Sequence, residues 1–187
     1  NIIHCHPNSH LKRFNIDINK SINNSFLGYL NYLGRYLPNF IDNKLQKYVT
    51  VETDLFIKKN LIKKNNKPDI FIGLSSFITK TLEYCNQNNI ISIVDHGSLH
   101  PEFEKKIIIE ECERISIDHK DFIAPDWQIQ RMNLEFKNAK KIIVLSDIAK
   151  KSMINLGVEG KKINILNCGV DKNFFKFKKK KKFENFT

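Results

Sequence analysis

Between Pro68 and Gly169 four short apolar runs, at 70–73, 90–94, 141–145 and 163–166, are separated by stretches long enough for one helix or two. Short apolar runs bounded by turn residues are the pattern of parallel strands buried in a sheet, and helices between them imply right-handed βαβ crossovers. The spacing predicts helices over 75–86, 102–117, 127–138 and 147–156, the last closed by Gly157 as a left-handed cap. The expected fold is α/β: a Rossmann-like open parallel sheet with helices on both faces.

The end of each strand carries the chemistry. The second run, I-I-S-I-V, stops abruptly in Asp95-His96-Gly97-Ser98, an acid, an imidazole, a flexible glycine and a hydroxyl. The first ends in Gly73-Leu74-Ser75-Ser76, the third in Ser146-Asp147 and the last in Asn167-Cys168-Gly169. Ligands of open α/β sheets bind beyond the carboxyl ends of the strands, where side chains and helix N-termini converge. Ser and Asp also cap helices without binding anything, so one such cluster means little. Four along one edge mark a binding crevice, with Asp95 and His96 its chemical centre and Ser75, Gly97, Ser98 and Ser146 around it.

Upstream, residues 1–6 read as a short strand and 25–64 as a helical insertion. Phe26, Leu27, Leu30, Leu33 and Leu37 recur at helical spacing until Pro38, and Val51, Leu55, Ile57, Leu61 and Ile62 form a second amphipathic helix. His4 and His6 would share one face of the first strand, with His10 returning toward them. Together with His96 and His100 they form a candidate zinc cluster of the kind metal-dependent hydrolases use, against the plainer reading of a polar strand end. Pro101 at a first helical turn would leave His100 outside the helix, which removes the two-His helical metal face.

Composition narrows the class further. The four cysteines, Cys5, Cys85, Cys112 and Cys168, form no C-x-x-C pair, which fits a reducing cytosol. No apolar run reaches the roughly 18 residues of a bilayer span. The net charge is +11, but six lysines crowd into 176–182; without them +5 remains. That excess suits phosphate-bearing ligands or an anionic membrane surface, whereas basic residues interleaved with stacking aromatics, the mark of nucleic-acid binding, are absent. Neither a P-loop nor a dinucleotide fingerprint occurs, and Phe77 breaks the G-x-S-x-G elbow that Gly73-Leu74-Ser75 begins. The absence of an initiating Met reads as a chain that begins and ends inside a longer protein.

From Pro68 to Phe175 the chain resembles the N-terminal domain of family-4 glycosyltransferases of the GT-B fold. The resemblance rests on Ala139-Lys140-Lys141-Ile142-Ile143-Val144-Leu145-Ser146, on Met153–Val158, and on Lys161-Lys162-Ile163-Asn164-Ile165-Leu166-Asn167-Cys168-Gly169-Val170-Asp171 with Phe175. Arg131 and Glu135 match the family's Arg/Glu helix. Their i,i+4 spacing by itself predicts a structural ion pair, and the resemblance adds them to the substrate-binding candidates. Lys140, Cys168 and Phe177 depart from the family pattern, and its glycine-rich loop is not recognisable.

The resemblance implies a glycosyltransferase-like domain over 1–175 and a basic linker over 176–187 leading to a C-terminal donor-binding domain of the same parent chain. It implies sugar transfer from a nucleotide-sugar to a sugar or lipid-linked acceptor hydroxyl, with retention and without metal or other cofactor. His96 would face the cleft, Asp95 would orient it or receive the acceptor hydroxyl, and the chain alone would be inactive. The implied location is cytoplasmic, peripheral at the inner membrane face. Two alternatives stand beside this: the metal-dependent hydrolase, and a non-catalytic α/β domain docking to an anionic surface.

Overall fold

The structure is a computed structural model, and it describes residues 2–5, 21–34, 36–63 and 67–169. Strand β1 (Ile2–His4) pairs in parallel with β2 (Ser21–Asn23), a strand the sequence pattern does not announce. Helices α1 (Ser25–Gly34) and α2 (Asn39–Lys63) follow and pack on each other. The second is one helix of 25 residues, longer than its apolar periodicity suggests.

The regular part then alternates as expected: β3 (Ile70–Leu74), α3 (Thr79–Gln87), β4 (Ile91–Asp95), α4 (Pro101–Arg114), α5 (Asp126–Asn138), β5 (Lys141–Val144), α6 (Asp147–Asn155) and β6 (Ile163–Ile165). Strands β3-β4-β5-β6 form one parallel sheet in that order. The expected α/β, Rossmann-like class is what the chain adopts. Gly157 closes α6 at φ 87°, the left-handed conformation anticipated for it.

Strand order explains where the core lies. Each strand is added on the same side of its predecessor, so right-handed crossovers carry α3, α4–α5 and α6 to one face of the sheet. That face buries Val94, Ile142, Val144 and Ile163 against Leu82 and Cys85 of α3, Met132 and Phe136 of α5, and Ala149 and Met153 of α6. Ile57 and Leu61 of α2 join the same cluster. The opposite face leaves Ile70, Ile72, Leu74 and Ile91 exposed, so among the described residues the helices cover one face of the sheet, where the sequence pattern predicted both.

One boundary is displaced. The first crossover helix begins at Thr79 rather than Ser75, and Ser75 to Ile78 form a turn with Ser76 at φ 78°. The side chains that hold this turn come from far along the chain.

Candidate functional site at the carboxyl edge of the sheet

The four strand ends are stitched into one edge by backbone bonds. The Ser75 amide donates to the Asp95 carbonyl at 3.0 Å, His96 to Ile143 at 2.9 Å, and Leu166 to Val144 at 2.8 Å. The Asn167 side chain adds a bond to the Leu145 carbonyl at 2.9 Å. Ser75, Asp95, His96, Gly97 and Ser98 therefore share one region, with Ser146 on the neighbouring strand end.

His96 is buried, and both of its ring nitrogens are engaged. Nε2 lies 2.8 Å from the Leu99 carbonyl oxygen, and Nδ1 lies 2.9 Å from Ser75 Oγ. A carbonyl only accepts, so Nε2 carries the proton, Nδ1 presents its lone pair, and Ser75 donates to it. The ring packs edge-on against Phe136 with centroids 4.9 Å apart. Burial holds the imidazole below the ordinary histidine pKa; the Leu99 carbonyl and the charges of Glu104 and Asp95 oppose that shift. Ser75 and Leu99 thus orient the ring, and no hydrogen bond joins it to the Asp95 carboxylate.

Past His96 the turn opens to solvent. Gly97 and Ser98 are exposed, and Ser98 Oγ donates to Glu104 at 3.2 Å. A Cβ at Gly97 would meet only Leu145 Cδ1, at 3.7 Å, so close packing does not demand glycine here. His100 is the N-cap of α4, accepting from the Glu102 amide at 3.3 Å, with Pro101 at the first helical position as expected. Ser146 caps α6 by accepting from the Ala149 amide at 3.2 Å.

Arg131 and Glu135 lie beneath the first turn and do not pair with each other as their spacing predicted. Glu135 is fully buried and accepts from the Ser76 amide at 2.5 Å, the Ile78 amide at 2.9 Å and the Thr79 hydroxyl at 2.9 Å. Burial pushes its pKa up, while the three donors and Arg131 pull it down. Arg131 reaches sideways: Nε donates to the Ser76 carbonyl at 2.9 Å and Nη2 to Asp54 at 2.8 Å. Asp54, on α2 and fully buried, also accepts from the Lys80 and Thr81 amides at 2.8 and 2.9 Å and from the Thr81 hydroxyl at 2.8 Å. Two carboxylates therefore take up the amides at the start of α3, each answering donors that a helix leaves unpaired.

Sequence reasoning missed Asp54, Thr79, Thr81 and the Leu99 carbonyl. A signal for Asp54 existed: it stands three and seven residues before Ile57 and Leu61, on the inward face of α2. Of the proposed histidine cluster, His6 and His10 lie outside the described residues. His96 and His100 spend ring nitrogens on hydrogen bonds, and among the described residues no three His, Cys, Asp or Glu side chains are grouped to hold a metal. No helix among them is long and apolar enough to cross a membrane.

The fold and its edge define a Rossmann-like α/β protein whose strand-end turn after β4 is open to solvent. Compared with known protein families, curated proteins and solved structures, the chain matches none.

Proposed function

We propose that this chain is the acceptor-side half of a glycosyltransferase that moves a sugar from a nucleotide-sugar to an acceptor hydroxyl with retention. The observation that supports the reading best is the convergence at one sheet edge of Ser75, Asp95, Gly97 and Ser98, half-buried or exposed, each with a group able to hydrogen-bond to a sugar hydroxyl. The sequence resemblance across 68–175 points the same way. In the reaction the bond from the anomeric carbon to the departing diphosphate breaks with its electron pair on phosphate. A bond to the acceptor oxygen forms and that oxygen gives up its proton. The protein's part is to hold the acceptor in line and meet the developing charge with fixed dipoles. Asp95 accepts from a non-reacting hydroxyl of the acceptor, the Gly97 amide donates to the acceptor, and Ser98, whose own proton goes to Glu104, accepts from it. Arg131 and Glu135 act at one remove, by holding the Ser75–Ser76 turn. The nucleotide falls to the second domain that the resemblance implies.

Amide chemical-shift mapping with candidate sugar acceptors tests the reading. Saturable shifts at Ser75, Gly97 and Ser98, lost in Ser98→Ala, are expected. Binding confined to another surface would sink it. A second reading, docking to an anionic surface, draws on Lys137, Lys140, Lys141, Lys161 and Lys162, which line a concavity of about 420 Å3 at the opposite end of the strands. Vesicles rich in anionic lipid would bind the chain in that case, and replacing Lys140 and Lys141 by Glu would release it.

A further inference from the structure

Ser75 and His96 make a pair that nothing in the sugar-transfer reading requires, and their geometry has a direction. The Leu99 carbonyl fixes the proton on Nε2, at 2.8 Å, so Nδ1 faces Ser75 as an acceptor at 2.9 Å. The Ser75 hydroxyl spends its own proton on Nδ1, which leaves its oxygen lone pairs for a group arriving from the half-buried side of the turn. A hydroxyl hydrogen-bonded to a neutral, oriented imidazole is the arrangement of an activated oxygen nucleophile or proton relay. The third member here is a backbone carbonyl, a fixed acceptor that stays in place when the ring becomes charged.

We propose that Ser75 is a catalytic residue that takes the proton from the acceptor hydroxyl and passes its own to His96 Nδ1. This rests on the sugar-transfer reading for its substrate, and names the group that activates it. The acceptor O–H bond breaks, and its proton forms a new O–H bond at Ser75. The former Ser75 proton moves to Nδ1, and the acceptor oxygen's electron pair bonds to the anomeric carbon as the bond from that carbon to the diphosphate breaks, its pair leaving on phosphate. The imidazolium that results keeps its Nε2–H bond to Leu99 and sits near the carboxylates of Asp95 and Glu104. The other groups at the ring are Phe136 from α5, edge-on, and His100, which packs on Phe136 with centroids 5.5 Å apart and is a titratable neighbour of His96. The relay predicts that His96 must be neutral to act. Its working form is lost as pH falls through a midpoint below 6.5, because burial lowers the folded-state value from there.

An activated serine is also attacked by an electrophile that needs no sugar, and this gives a test independent of transfer. Incubation of the chain with a fluorophosphonate should phosphonylate Ser75, fluoride leaving and the serine proton going to His96. The adduct is located by peptide mass analysis. The rate should rise with pH through that midpoint, level off above it, and vanish in Ser75→Ala. In His96→Asn it should fall about 100-fold or more, the range expected when a positioned base is lost. Because the variant removes a buried ring, 15N spectra of His96 in the unmutated chain give a second measure: a neutral ring with its proton on Nε2 supports the relay. A proton on Nδ1, labelling no faster than in the unfolded chain, or a rate indifferent to His96 would overturn it. Labelling that depends on His96 without any sugar transfer by the parent protein would keep the relay and discard the transfer reading. Transfer that is indifferent to Ser75→Ala would do the reverse.

Discussion

The turns after β3 and β4 occupy equivalent places in the fold, at the carboxyl ends of neighbouring strands, each leading into a helix. They are finished in opposite ways. After β3 the start of α3 is closed by the protein's own Glu135 and Asp54, and the chain pays with Ser76 at φ 78°. After β4 the N-cap is a buried histidine, and Gly97 and Ser98 remain open to solvent. A helix N-terminus at a strand end is therefore an anion site only when no internal carboxylate has taken it. In this chain the amides around the start of α3 are taken up by internal carboxylates, whereas Gly97 and Ser98 of the second turn stay exposed.

The contrast breaks most visibly at Asp54. Asp54→Ala would strand Arg131 without its counter-charge and leave the Lys80 and Thr81 amides unanswered. A loss of about 3–5 kcal/mol in chemical denaturation is expected, the scale of a buried pair missing one partner. If the loss were under ~1 kcal/mol, the anchoring account of this turn would be wrong. Glu135→Gln is next: one of its oxygens becomes an amide group that can only donate, facing groups that also donate, at a cost of about 1–3 kcal/mol. Smallest is Ser98→Ala in the open turn, where unfolding should move by no more than about 0.5 kcal/mol while acceptor binding weakens. Equal stability losses in the Glu135 and Ser98 variants would erase the distinction between the two turns.

The sequence shows the open turn better than the closed one. Asp95, His96, Gly97 and Ser98 are contiguous and follow an apolar run, so local pattern alone places them at a strand end. The adjacency of β3 and β4 then brings Ser75 near them. The hydrogen bond from Ser75 to His96 is not legible, because it depends on the ring tautomer that Leu99 sets. The closed turn is built from residues 26 to 77 positions apart, joined only by packing of α2 and α5 against α3. Helical spacing marked Arg131 and Glu135 as partners of each other, but buried backbone donors at the start of α3 compete for Glu135, and Asp54 competes for Arg131. Those donors also explain the late start of α3: Glu135 holds the Ser76 and Ile78 amides in a turn before the helix begins.

Helix α5 touches both turns. Arg131 and Glu135 grip the first, Phe136 touches the rings of His96 and His100 in the second, and Asn133 donates to Glu102 of α4 at 2.6 Å. A single rigid rod thus underlies two loops that differ in exposure. Because α5 touches Ser76, Ile78 and His96, the buried parts of the two loops are expected to open together. Amide exchange should then divide the second turn, slow at His96, whose amide is bonded to Ile143, and fast at the exposed Gly97 and Ser98.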